Sequence, residues 1–558
     1  MKKALAITLA IIMCMGILAA CGGNENQGVT PPQAIPSGPP ASGGNPSQTP
    51  TNPPAVVQPA PVEPDVVFAD HIEIIIDNNR PSSVNPLIMA SNVTPSHWSF
   101  ILMYDRLLNY NEKTGEFLPG LAKSWQSADF KTYTFDLRDD VYFHNGDKFT
   151  AQDVVNTIDL AKENAPSMMA NQWSISSLES YTAISDYKLE LVLSSVNVDY
   201  YMNLVQPQAS VLNKRAVEAD ADFGMNVGTG AFILKEFVTN DYLTLERNDK
   251  WWNNSENGGA IVVPTKSMTL RFIPEVSART TMMLNGEVQA CFSISSEDYG
   301  YFENDDYSIF PLTMNNPQGF SFNMANNITS DKNFRLAVLS AINREEIATV
   351  AAGDWAQGLT NTNGGESIWG FATEFRKNDI PVVPQDIEKA KEYLAASVYN
   401  GERIEITAAV STNIKASEMF QQQLLAIGIN AYINETDTAG LNAQFFTPDH
   451  HIIFHGFTFT YAAGSSRALL VPGMAQNRAS YENPEVTQLI SEALTMTDRA
   501  AREKHYIRVQ ELVAEDLVYI NMLWRLNGIV GCKGLGGMIL PSDTHSTDLR
   551  GIYWIIDQ

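Results

Sequence analysis

Apolar and polar residues alternate singly from Tyr133 to Arg138, with Tyr133, Phe135 and Leu137 on one side and Thr134, Asp136 and Arg138 on the other. This period predicts a strand that lays one face on a core. Asn145-Gly146 marks a tight turn. The period then lengthens: Thr150 and Asp153 have capping-box spacing ahead of Val154, Val155 and Ile158, so a helix starts there. Farther on, Phe334, Val338, Ala341 and Ile342 recur at helical spacing, and Asn343 with Glu346 opens another helix. Ala416 to Ile427 reads as a helix stopped by Gly428, followed by a strand with Ile429, Ala431 and Ile433 alternating. Pro484 occupies a first-turn position ahead of Val486, Leu489, Ile490, Ala493 and Leu494. A helix from about Arg499 carries Tyr506, Val509, Leu512 and Val513, and a strand runs from Leu517 to Trp524. Strand-like and helix-like segments alternate from Asp65 onward, which predicts an α/β body.

A chain of 558 residues, 44% of them hydrophobic, exceeds what one core fills, so at least two lobes are expected. The formal charge of -26 becomes -28 when Lys2 and Lys3 are removed by processing. Such a surface repels phosphate backbones and lacks clustered Lys/Arg, which argues against a nucleic-acid partner. Four cysteines do not make a disulfide scaffold; Cys291 and Cys532, the two in the body, are either buried thiols or a single bridge.

The N-terminus has its own pattern. Lys2 and Lys3 precede an uncharged run from Ala4 to Ala20, short for a membrane span and suited to a signal peptide over residues 1–20. It ends in Leu18-Ala19-Ala20-Cys21-Gly22, which resembles the bacterial lipobox; the resemblance implies diacylglycerol on Cys21 and an extracytoplasmic, membrane-anchored chain. From Gly22 to Pro64 there is no lysine, arginine or aromatic residue, and proline recurs. Residues 21–65 therefore form a lipidated tether that cannot build a core, with a reach between about 35 to 40 Å as a coil and roughly 130 Å as polyproline.

His450, His451 and His455 raise the possibility of a metal site, but Ile452, Ile453, Phe454, Phe457 and Phe459 predict a strand there. Four strand residues span about 13 Å, too far for His451 and His455 to share one ion. The sequence shows no HExxH, phosphate loop, GxSxG or paired CxxC, and no coherent nucleophile and base, so an enzyme is not indicated.

Pro119-Gly120-Leu121-Ala122-Lys123-Ser124-Trp125, Phe143-His144-Asn145-Gly146 and Phe149-Thr150-Ala151-Gln152-Asp153-Val154-Val155 together resemble the signature region of family 5 extracellular solute-binding proteins, which serve peptide, oligopeptide and nickel importers. Gly228-Thr229-Gly230, Leu245-Glu246-Arg247-Asn248 with Trp252, Asn285-Gly286-Glu287-Val288, Phe322-Asn323, Arg335 through Glu345, and Tyr481 through Val486 match in the same order. The resemblance implies a two-lobe periplasmic-binding-protein-like fold (type II, large cluster C form) with a ligand cleft between the lobes. It assigns residues 66–110, 225–310 and 528–558 to the first lobe, 111–224 to a subdomain inserted in it, and 311–527 to the second lobe. It also implies a monomer that captures a peptide-like solute for ABC permease subunits and their ATPases, with no cofactor.

The segments that approach the cleft in that family contain Trp98, Trp355, Trp369, Phe371, Phe457, Tyr461, Ser465, Ser466 and Arg467 here. The aromatic residues could cover an amphipathic ligand or simply fill a core; Trp251 and Trp252 are read as packing. Many peptide binders of the family carry an acid shortly after a Gly-Trp pair, where it holds the peptide amine. Gly456 to Ser466 contains none, and Arg467 follows. That arginine either faces an anionic ligand group or lies on the surface. A sensory or adhesive lipoprotein that binds solute but signals instead of importing is a competing function.

Overall fold

In the computed structural model the described residues are 67–77, 84–87, 100–111, 116–164, 169–170, 173–221, 223–292, 294–295, 297–312, 317–358, 382–409, 411–444, 450–456, 462–474, 477–525, 527–539 and 548–557. Strand Thr132–Leu137 buries Tyr133, Phe135 and Leu137 completely, as its alternation predicts. It pairs antiparallel with Ala122–Gln126 and Lys188–Leu193 in a four-stranded sheet completed by Leu178–Ser185. The turn behind it closes at Gly146, whose φ of +90° is open to glycine at no steric cost. Helix Ala151–Glu163 then starts on a capping box, with the Thr150 backbone N–H donating to Asp153 Oδ2 at 2.8 Å.

Two larger sheets organise the body. The first has seven strands in the spatial order Tyr307–Leu312, Asn527–Cys532, Ala290–Cys291, His71–Asp77, Ser267–Phe272, Tyr242–Arg247 and Phe232–Val238. The second has six: Ala356–Gly358, Tyr519–Arg525, Pro317–Phe322, Ile452–Gly456, Ile404–Ala408 and Ala431–Glu435, the last three mutually parallel through Ile404–Ala408. The chain passes from the first sheet to the second between Leu312 and Pro317, and returns between Arg525 and Asn527. The strands flanking each passage belong to different sheets, so the body has two lobes that the chain links at two places.

Packing follows the same division. One continuous core unites the first sheet's Ile72, Ile74, Leu245 and Leu270 with Tyr133, Ile158, Trp173 and Leu191 of the region around the four-stranded sheet. The second sheet has its own core, in which Phe320, Phe322, Phe420 and Phe454 meet Val338, Ile347 and Leu424 from the covering helices. A further cluster gathers Val486, Ile490, Tyr506, Val509, Leu512 and Val513 from helices Pro484–Ala493 and Arg499–Asp516. Each such side chain contributes about 1.5–3 kcal/mol by leaving water. Ser47–Gln558 is a self-contained compact unit that holds all of these cores.

Two strand starts differ from the sequence pattern. Gly428, at φ +93°, ends helix Ser411–Ala426, but the next strand begins at Ala431, because Ile429 is buried in the turn rather than hydrogen-bonded in the sheet. Leu517 belongs to a helix end: it adopts a left-handed conformation, φ +53°, and its N–H closes onto Val513 and Ala514 carbonyls, so the strand begins at Tyr519. Cys291 and Cys532 are not bridged by a disulfide. Cys291 faces Val530 in register, which leaves Cys532 in the diagonal position; diagonal neighbours lie about 7–8 Å apart, beyond a bridge without backbone movement.

Candidate functional site

Where the lobes join, Trp355 ends the short turn Gly353–Trp355 of the second lobe and stacks on Tyr299 of the first, with ring centroids 3.8 Å apart and planes 25° from parallel. The Tyr299 hydroxyl donates to the Gly528 carbonyl at 2.9 Å and accepts from the Gly528 N–H at 2.7 Å. Gly528 lies just past the returning passage, in strand Asn527–Cys532, and a Cβ there would sit 2.8 Å from Ile309 Cγ2 on the neighbouring strand. One phenol thus satisfies both backbone groups of a residue at the passage while its ring carries Trp355. Two ion pairs also bridge the lobes: Arg502 with Asp199 at 3.4 Å, and Lys415 with Glu297.

The sequence-predicted ligand residues divide as follows. Trp355 is half-buried in the junction just described. Ser466 is fully buried on helix Ala462–Leu470, and its Oγ has no hydrogen-bond partner among the described residues, whereas the adjacent Arg467 is exposed. Ser465 lies on that helix, its side chain outside the description. Trp98, Trp369, Phe371, Phe457, Tyr461 and the lipobox Cys21 fall outside the described residues. A depression of about 340 Å³ beside Pro472, Glu482 and Thr487 contains none of the predicted residues. Tyr299, Gly528, Asp199 and Arg502 were not signalled by the sequence, because their partners stand 229 and 303 positions away.

The histidine segment is a strand, Ile452–Gly456, with His450 and His455 buried. His455 Nε2 and Ser321 Oγ are 3.0 Å apart, and burial, reinforced by the nearby Arg478 charge, pushes the imidazole pKa down to about 3, so it is neutral at pH 7. His451 Nδ1 accepts from the Glu405 N–H at 3.4 Å. Among the described residues no group of three metal-ligating side chains occurs, and no helix is long and apolar enough to cross a membrane.

Several of the segments that carry the family resemblance meet in the first lobe. The His144 N–H donates to the Gly228 carbonyl at 2.8 Å, the Gly228 N–H donates to His144 Nδ1 at 3.3 Å, and His144 Nε2 lies 3.1 Å from the Gly230 carbonyl. Since Nδ1 accepts, Nε2 carries the proton and donates. Asn248 Nδ2 donates to the same Gly230 carbonyl at 3.1 Å. Beside them, Asp105 Oδ2 accepts from Thr229 Oγ1, Trp251 Nε1 and Trp252 Nε1 at 3.1, 3.2 and 2.8 Å. Burial raises the Asp105 pKa against the opposing pull of these donors and Arg550. The tryptophan pair is therefore a packed joint, as the sequence reading had it, and the motif residues fasten loops to the first lobe.

The family model for bacterial extracellular solute-binding proteins, family 5, middle part, matches residues 116–470. The periplasmic oligopeptide-binding protein OppA of Escherichia coli is 23% identical over 483 residues, covering 78% of this chain and 84% of OppA. Among solved structures, the periplasmic binding protein DppA of Helicobacter pylori in complex with the peptide STSA superposes with a TM-score of 0.71 at 22% identity, over 88% of this chain and 99% of DppA. The periplasmic murein tripeptide binding protein MppA in its unliganded open form gives 0.70 at 21% identity, over 88% and 99%. These relatives are solute binders and not enzymes, their fold is the two-lobe periplasmic-binding architecture seen here, and the chain belongs to the bacterial extracellular solute-binding proteins of family 5.

Proposed function

We propose that this chain is an extracytoplasmic lipoprotein, anchored by acyl chains on Cys21, that captures a peptide or peptide-like solute between its lobes as a monomer and delivers it to the permease of an ABC importer. The observation that carries the reading is the division into two separately packed lobes that the chain links twice, since clefts between such lobes are favoured sites for small ligands. The names of its relatives, an oligopeptide-binding protein and a binding protein solved with a bound peptide, support a peptide-like solute. Residues 66–110, 225–310 and 528–558 form the first lobe in this reading, 111–224 its inserted subdomain and 311–527 the second lobe. Trp98, Trp355, Trp369, Phe371, Phe457 and Tyr461 provide apolar cover for the solute, and Ser465, Ser466 and Arg467 its polar contacts. A buried hydroxyl such as that of Ser466 supports this assignment, because a polar atom without a partner costs about 1–3 kcal/mol unless something satisfies it. Mass spectrometry of material released by denaturing the protein purified from its native host tests the reading. A peptide-like solute near one per chain supports it, and a lipid or a nucleotide in that place would replace it.

A further inference from the structure

We propose that Asp199 and Arg502 form an interlobe latch that holds the solute-free protein partly closed. Asp199 stands directly before helix Tyr200–Leu204, whose Tyr200, Met202 and Leu204 are fixed in the first lobe's core. Arg502 lies in the first turn of helix Arg499–Asp516, which Tyr506, Val509 and Leu512 fix in the second lobe. The carboxylate and guanidinium approach to 3.4 Å across 303 positions of sequence, and each side chain is only 11% exposed. Two rigid bodies joined covalently at two passages are thus tied at a third place by opposite charges. A second interlobe pair among the described residues, Lys415 with Glu297, is 39% and 66% exposed, so water and salt screen it far more.

The latch works through the difference between the two states. In the closed form both charges are largely dry and neutralise each other; in the open form both are hydrated and apart. Removing one partner leaves the other charge poorly hydrated in the closed form alone, which raises the free energy of that form. A population already closed carries less of the conformational cost of binding, so the latch also tightens apparent solute affinity. This consequence rests on the proposed solute-binding role; the latch itself does not.

Small-angle scattering of the solute-free body, Ser47–Gln558, tests the latch without any ligand. Arg502→Gln and Asp199→Asn each raise the open-to-closed ratio on the order of tenfold, the scale of one broken and partly buried charge pair. Both give a larger radius of gyration than the unmodified body. The double variant opens no further than either single one, because both remove the same interaction. An unchanged radius of gyration in either single variant, with circular dichroism showing it folded, overturns the proposal; additive increments in the double variant overturn it as well. The test is separable from the functional reading, since solute recovered by mass spectrometry with no change in these variants would sink the latch alone.

Discussion

His144 offers a quantitative test of the joint that fastens the first lobe. Burial pushes its pKa down to about 4, against the pull of backbone carbonyls that would favour protonation. A proton on Nδ1 would in addition displace the donor hydrogen bond from the Gly228 N–H. The unfolded chain, with an ordinary pKa near about 6.5, takes up this proton first. The folded pKa lies below the unfolded one, so the stabilisation is fully present above about pH 6.5 and is lost progressively as pH falls toward about 4. Between pH 7 and pH 5 the loss assignable to this one imidazole is about 2 kcal/mol. His144→Gln keeps an acceptor and a donor but does not titrate. Urea unfolding of the body at both pH values, wild type against variant, isolates the contribution: the variant is less stable at pH 7 but loses about 2 kcal/mol less on going to pH 5. Equal losses in the two proteins would refute the claim that His144 is buried neutral in this joint.

The same joint explains a steric prediction. A Cβ on Gly228 would lie 2.0 Å from the Met103 carbonyl oxygen and 2.7 Å from Tyr104 Cδ1, so Gly228→Ala destabilises the first lobe by at least about 1–3 kcal/mol, while Gly300→Ala, which meets nothing within 4 Å, is neutral in thermal unfolding. Cys21→Ala abolishes incorporation of labelled fatty acid; undiminished label would rule out the lipid anchor. If Arg467 contacts an anionic group of the solute, Arg467→Ala weakens binding of that solute by roughly 1.5–3 kcal/mol in calorimetry; unchanged affinity assigns the exposed side chain to the surface.

What the sequence made legible was whatever a few neighbouring residues determine. The strand at Tyr133, the capping box at Thr150 and the first-turn Pro484 all appear where local pattern put them, because alternation, cap chemistry and the missing proline N–H act over one turn or less. Leu517 shows the limit of that logic: its apolar side chain extends the strand pattern, yet its backbone closes the preceding helix. Chain length called for at least two lobes and the family resemblance gave their division, and several of the motifs that carried it prove to be structural fastenings around His144, Gly228 and Asp105. They are silent about ligand contacts for that reason. The contacts at the junction were illegible because Tyr299 and Gly528, which meet within the first lobe, and Asp199 and Arg502, which meet across the two, are brought together only after the chain has crossed between sheets, and nothing in either local sequence names its partner. Of the predicted ligand residues, Trp355 stands out as a junction residue whose stacking partner comes from the opposite lobe.

Closure around a solute is the central claim, and its most direct measurement is small-angle scattering of the body before and after saturation with the solute recovered from it. A ligand closes the lobes only by binding the closed form more tightly than the open one. The account predicts a smaller radius of gyration at saturation, with a larger contraction in Arg502→Gln than in the wild type because the variant starts more open. A verified solute that saturates both proteins and leaves both scattering profiles unchanged would contradict it.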